Sequence, residues 1–421
     1  MCQFRLEQCA RRRLSELAEY KQTMSPNIPL PTLRSVTRSN RPVPRVLPAA
    51  LALLACAASF TLMSPPRAEA ASINAAFKGQ AMWIWQMPKT EGGSVAKIVA
   101  RAKKADISAV YVKSADGSGA WQQFTKTLVK SLRSAGLHVC GWQFVYGSNP
   151  TGEAKAAAAA KTAGAQCLII DAESSYEGRY KSARTYMKSL RKRVGSKFAL
   201  GFTSFPYVDY HPALPYSVFL GSGGAEVNMP QVYWRDIGTS VTTAMKHTWR
   251  ENRIYGRPIH PIGQTYQSPP VSEIHSFRRL AIAYRAPGYS WWEWTPTSSK
   301  IWRTLGRDLP TGSTAPDPGW PVLSRGAKGD SVYRVQQLLA SANSLRLTAN
   351  GVFGSATTRA VKEFQAAHDL TVDGTIGAAT WRLLGKVTVA AAAQRSLAAA
   401  AQNVPRSATL PARRNELKTR R

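Results

Sequence analysis

Eight times between Ala81 and Pro296, a short apolar or aromatic run gives way to an amphipathic stretch rich in Lys, Arg and Ala. The runs cover residues 81–87, 107–114, 138–146, 166–172, 198–205, 227–234, 259–266 and 289–294. Between them, stretches such as 94–104, 121–135, 151–163 and 180–194 repeat an apolar residue every three or four positions, the period of a helix with one buried face. Strand–helix alternation calls for a parallel sheet, because each helix carries the chain back to start the next strand in the same direction. Eight such units fit a closed (β/α)8 barrel better than an open doubly wound sheet. No GxGxxG follows the first run, so a dinucleotide-binding sheet lacks its phosphate turn. The expected fold class is therefore α/β, a TIM-like (β/α)8 barrel over residues 75–310. A composition of 44% hydrophobic and 19% charged residues excludes a collagen-like, coiled-coil or wholly disordered chain.

Barrel chemistry gathers where the strands end. There the chain places Trp83 and Trp85, Lys113 and Asp116, Trp142 and Tyr146, and Asp171 and Glu173. Further along come Gln231, Tyr233 and Trp234, then Gln264 and Tyr266, then Trp292, Glu293 and Trp294. Aromatic faces pack on the C–H faces of sugar rings, while amides and carboxylates bind hydroxyls. Trp83, Trp85, Trp142, Gln231, Trp234, Gln264, Tyr266, Trp292, Glu293 and Trp294 are accordingly expected to line a carbohydrate site. The competing reading for each tryptophan is that it fills the core or closes the helix layer.

Cys167-Leu168-Ile169-Ile170-Asp171-Ala172-Glu173 carries the most chemistry. Alternation puts Asp171 and Glu173 on one face at the strand's C-terminal end. Two carboxylates in that position raise each other's pKa and cost stability, which a glycosidase turns to use. One carboxyl donates a proton to the leaving oxygen while another charged group steadies the oxocarbenium-like centre. Glu173 is the expected acid. Asp171 is expected to tune it or to orient a substrate acetamido group, and Tyr233 to act third. The bland alternative ties the carboxylates up with a base such as Lys113.

A fourth-strand Asp-x-Glu in a barrel resembles the lysozyme family of (β/α)8 muramidases. Met229-Pro230-Gln231-Val232-Tyr233-Trp234 and the Trp-rich last run are similar to chitinase-like barrels. The resemblance implies a glycoside hydrolase. The chain departs from it at the first run, where those lysozymes have an aspartate and this chain has Trp83-Ile84-Trp85-Gln86. The longer Asp-rich fourth-strand motif of chitinases is also absent. Other wall chemistries lack their residues: the six histidines show no HExxH or His-x-x-x-His, and there is no GxSxG. No cofactor or metal is expected.

Beyond a Pro/Gly/Ser-rich linker over 311–321, an eight-residue pattern repeats. Asn350-Gly-Val-Phe-Gly-Ser-Ala-Thr357 recurs as Asp373-Gly-Thr-Ile-Gly-Ala-Ala-Thr380. In each copy the Asn/Asp-Gly pair predicts a tight turn, the apolar residue a core plug, and Thr the cap of the next helix. Residues 322–385 closely resemble the peptidoglycan-binding domain, which implies a small all-α three-helix module and peptidoglycan as partner.

At the other end, Arg41 and Arg45 precede an apolar run from Val46 to Met63, and Ala68-Glu69-Ala70 supplies small residues for cleavage. This order predicts a signal peptide over 41–70, preceded by a leader extension over 1–40, and a secreted, wall-associated protein. Cys56 offers a lipoprotein alternative, and a membrane anchor is a second. Of the five cysteines, Cys140 and Cys167 fall in the barrel, as buried thiols or as one bridge. Lys and Arg number 56 against 24 Asp and Glu, a net +32, of which the largest share falls on residues 73–315 and a second concentration on the tail 386–421. Without a zinc-finger or RNA-binding signature, this charge points to anionic wall polymers rather than nucleic acid. The leading functional expectation is a wall-targeted hydrolase of peptidoglycan glycan strands. The alternative is a binding protein whose barrel holds glycan without cutting it.

Overall fold

The computed structural model describes residues 73–308, 314–343 and 347–388. The expected leader, the linker residues 309–313 and the tail from 389 onward lie outside the described residues. Among the described residues no helix is long and apolar enough to cross a membrane.

Eight parallel strands close a barrel: β1 (Gly79–Ile84), β2 (Ala109–Asp116), β3 (His138–Val145), β4 (Cys167–Ala172), β5 (Ala199–Ser204), β6 (Val227–Val232), β7 (Ile262–Gln264) and β8 (Gly288–Trp292). Each pairs with its sequence neighbours, and β8 returns to β1, with Gly79 opposite Gly288 and Met82 opposite Trp291. The helices are α1 (Val95–Lys104), α2 (Lys126–Ser134), α3 (Pro150–Thr162) and α4 (Tyr180–Val194), then the single turns α5 (Tyr216–Phe219) and α6 (Trp234–Ile237). α7 (Val241–Asn252), α8 (Val271–Ala283) and α9 (Ser299–Leu305) complete the outer layer. The TIM-like barrel expected from the alternation is the observed fold.

Local chemistry explains the helix starts. Ser94, Thr125, Asn149, Ser240 and Ser298 each accept a hydrogen bond from the backbone N–H three residues on, satisfying a donor that the first turn leaves open. Small residues set the spacing of α3 on the sheet. A Cβ on Gly141 of β3 would stand 2.8 Å from Ala160 Cβ and 2.6 Å from Ser114 Oγ, so only glycine allows that approach. Inside the barrel, Phe77, Tyr111, Cys140, Cys167, Ile169, Val227, Met229 and Ile262 form one buried cluster. Cys140 and Cys167 face each other in register on β3 and β4, with Cα atoms 4.6 Å apart, and are joined as a disulfide.

The C-terminal module contains α10 (Asp330–Asn343), α11 (Ser355–Ala366) and a third helix over 378–388. Its repeat is structural as well as sequential. Gln336 donates to Asn350 Oδ1, Val352 O and Thr357 Oγ1, while Gln365 donates to Asp373 Oδ1, Thr375 O and Thr380 Oγ1. Gly351 and Gly374 take φ of +73° and +76°, as the expected turns require. Phe353 and Ile376 plug the core at 1% and 0% exposure. The expected threonine caps are corrected: Gly354 occupies the cap position of α11, and Thr357 and Thr380 instead accept from the two buried glutamines.

The module packs on the barrel through a continuous core. Val332, Val335 and Leu339 share one buried cluster with Leu214, Tyr216, Ile254 and Tyr255. At its centre Asp330, fully buried, accepts hydrogen bonds from Ser217 N, Ser217 Oγ, Tyr255 Oη and Tyr180 Oη.

Candidate active site at the C-terminal mouth of the barrel

Along β4 the side chains alternate between two clusters. Cys167 and Ile169 lie in the barrel interior, whereas Leu168, Ile170 and Ala172 pack into the helix layer. That parity turns Asp171 inward, and Glu173 follows it just before the turn Ser174–Tyr176. Gln231, at the end of β6, reaches both carboxylates: its Nε2 donates to Asp171 Oδ1 at 3.3 Å and to Glu173 Oε1 at 3.0 Å. Tyr233, two residues on, packs edge-on against Tyr266 with ring centres 5.6 Å apart. Burial holds the Tyr233 hydroxyl pKa well above its ordinary value, and Tyr266 and the negative charges of Asp171, Glu173 and Asp236 add to that, so this group stays a proton donor. Tyr266 in turn donates to Asp236, which also accepts from Gln267 Nε2 at 2.7 Å.

Beneath these polar groups lies an indole floor. Trp83, Trp142 and Trp292 meet edge to face, with ring centres 5.4–5.7 Å apart. Trp83 donates to Ser290 Oγ and Trp142 to Ile84 O, which fixes both rings at 1% and 2% exposure. Trp292 is the partly open member. Trp85 stands at the rim, half-buried, with its Nε1 lacking a partner among the described residues. Gln264 is fully buried; its Oε1 accepts from the Arg235 backbone N–H at 2.8 Å, and its Nε2 has no partner either. Gln264, expected to line the site, has no exposed surface and lies behind the mouth.

Glu293 follows directly on the end of β8. Its Oε2 accepts from the Trp85 backbone N–H at 3.2 Å. Burial pushes its pKa up to about 7, with the Trp85 hydrogen bond and Lys89 pulling weakly the other way.

The structure assigns Lys113 differently from the bland alternative. Its ammonium lies 2.6 Å from Asp116 and within 4.5–6.0 Å of the Trp121, Trp142 and Trp85 ring centres. Asp116 also accepts from the Tyr146 hydroxyl at 2.8 Å. Sequence reading missed two contributors here. Trp121 follows the short strand Gly119–Ala120 that folds back on β2, a hairpin with no strong signal, and Gln123 donates to Trp85 O and Lys113 O, tying the first two loops together.

Two expected rim residues are corrected. Trp234 and Trp294, 1% and 2% exposed, belong to the helix-layer cluster, where they donate to Glu273 and Glu91. Parity explains Trp234: with Gln231 and Tyr233 turned inward, the residue between and the residue after them must face outward. Trp83 lies under the site as its floor rather than on its rim.

One metal-like cluster occurs among the described residues: Asp209, His247 and Glu251 offer ligand atoms within 4.8 Å of one another. Arg250 already stands 2.6 Å from Glu251 and 3.7 Å from Asp209, so the positive charge there is a guanidinium.

Comparison with known proteins separates the two parts of the chain. Residues 328–384 match the family model "Putative peptidoglycan binding domain". The C-terminal module is a peptidoglycan-binding domain. The chain is similar to the SleB N-terminal domain at 38% identity, covering 16% of this chain and 93% of that one, with a TM-score of 0.16. It is similar to a peptidoglycan-binding protein from Clostridioides difficile at 37% identity, covering 16% of this chain and 42% of that one, with a TM-score of 0.15. A class V chitinase from Pseudomonas fluorescens aligns at 10% identity over 54% of this chain and 98% of its own, with a TM-score of 0.42. No curated protein matches the chain.

Proposed function

We propose that the chain is a secreted, wall-associated glycoside hydrolase that cleaves the glycan strands of peptidoglycan, held there by residues 328–384. The observation that carries this reading is the Gln231 amide bridging Asp171 and Glu173 above an indole floor. A sugar ring seated on Trp292 would bring its glycosidic oxygen under Glu173, the proposed general acid. Asp171 would orient the acetamido group or steady developing positive charge, and the Tyr233 hydroxyl would donate to the same group. Trp85 and Tyr266 would bind hydroxyls along the glycan, with Trp142 and Trp83 supporting the stacked ring.

Glu293 supports a second assignment of the acid, because a carboxyl with a pKa of about 7 still carries its proton near neutrality. The test is mass spectrometry of soluble fragments released from purified sacculi by the full chain. New reducing ends support the hydrolase. Retention on sacculi with no fragment from any of several walls leaves a binding protein instead.

A further inference from the structure

The basic charge of the barrel is unevenly placed. Helices α1–α4 carry four, three, two and six basic residues in turn, fifteen in all, against a single acidic one, Glu153. Glu153 is 1% exposed and turned inward, where its Oε2 accepts from Tyr176 Oη and the Gly147 N–H. Thirteen of the fifteen basic side chains are exposed. Among the described residues, the one ion pair that the fifteen make is Arg101 with Glu91. One side of the outer layer is thus a wall of uncompensated positive charge.

Its organisation is regular. On α4, Lys181, Arg184, Lys188 and Lys192 are exposed at steps of three, four and four, which stacks them along one helix face. At a rise of about 1.5 Å per residue they offer a cation every 5–6 Å or so. The stripe begins where the peptidoglycan-binding module docks: Tyr180 donates to Asp330, and Arg184 lies 3.5 Å from the Tyr333 hydroxyl. Further round, the ends of α2 and α3 enclose a hollow of about 530 Å³ whose lining includes Lys130, Arg133 and His138.

We infer that this wall binds a phosphodiester-linked polyol polymer of the cell wall, laid along α4 and the α2–α3 hollow beside the module that holds the glycan. Charge complementarity gives the sign. What the wall lacks narrows the partner: among the described residues the exposed large hydrophobic side chains are Tyr146, Tyr210, Ile282, Val322, Val352 and Val372, none of them on α1–α4. A nucleic-acid strand would want aromatic platforms for its bases, and a bilayer would want apolar anchors. A polyol phosphate wants neither. The inference rests on the peptidoglycan-binding module for its location, and it holds whether or not the barrel cleaves glycan.

The test measures binding of the full chain to poly(glycerol phosphate) at 0.05 and 0.15 M salt. One variant carries Lys130→Gln, Arg133→Gln, Lys188→Gln and Lys192→Gln together. A control carries Lys246→Gln, Arg285→Gln, Lys300→Gln and Arg303→Gln, four exposed cations on the other side of the barrel. Wild type should bind in a salt-sensitive manner, the α2/α4 variant at least tenfold more weakly, and the control within about threefold of wild type. Equal losses in the two variants would reduce the effect to net charge and overturn the assignment. So would tighter binding of tRNA than of poly(glycerol phosphate), or binding to phosphatidylglycerol vesicles that survives removal of the wall polymer.

Discussion

Asp330 of the peptidoglycan-binding domain and Ser217 of the barrel are joined twice: the Ser217 backbone N–H donates to Oδ2 at 2.8 Å and its hydroxyl to Oδ1 at 2.6 Å. With Tyr180 and Tyr255 also donating, the carboxylate of one part serves as the acceptor for four donors of the other. The module therefore has a fixed seat on the barrel.

Asp330→Ala leaves those four donors without their acceptor in a buried seam. Unmet buried donors cost about 1–3 kcal/mol each where water cannot reach them. Calorimetry of the full chain should show a lower melting temperature and a single transition resolving into two. An unchanged single transition would mean that the apolar seam alone holds the parts together.

Glu293 gives the fold a pH dependence. Its folded pKa of about 7 lies above the ordinary 4.5. Between those values the folded state keeps a proton that the unfolded chain has released. The stabilising contribution is therefore complete below pH 4.5 and lost as pH rises through 7, with a ceiling of about 3 kcal/mol. Glu293→Gln has no charge to bury. It should melt with wild type at pH 5 and several degrees above it at pH 8; equal melting at both would refute the shift.

Glu173→Gln keeps the hydrogen bond with Gln231 available but has no proton to give. On wall glycan its rate should fall by roughly 10²–10⁴, the usual worth of a general acid, with little change in retention on sacculi. Asp171→Asn should slow turnover as well, and Tyr233→Phe less so. If Glu173→Gln keeps full rate while Glu293→Gln loses it, the acid is Glu293.

Gln336 makes five hydrogen bonds, two of them from the backbone N–H groups of Asn350 and Gly351. Gln336→Ala should destabilise the module by about 2–4 kcal/mol and weaken sacculus retention, since those backbone donors lose their only acceptor in the turn. The neighbouring Gln337→Ala should change either by little. Similar losses in both would show that helix content, not the buried amide, supports the turn.

Much of the fold was legible in the chain because its signals are local. The period of apolar residues separates β from α, and eight alternations leave few ways to close the sheet. Asn350-Gly351 and Asp373-Gly374 specify their turns because only residues tolerant of positive φ fit there. Parity along β4 was enough to put Asp171 and Glu173 on one face. What local signals could not supply is the company each side chain keeps. Trp234 and Trp292 are the same residue type at the ends of β6 and β8, yet one closes the helix layer and the other the barrel floor. Lys113 could have met Asp171, but curvature of the barrel and the hairpin at Gly119–Ala120 bring it to Asp116 and Trp121. Asp330 reads as an ordinary first-turn carboxylate, and only the packing of α10 on the barrel buries it. The sequence by itself determined which segments are strands, helices and turns, because those depend on backbone conformation and the period of apolar residues. The tertiary structure alone decided which charges are paired, which indoles are open and which carboxyl keeps its proton. Those depend on distance and burial between residues far apart in the chain, such as Trp85 and Glu293, 208 positions apart.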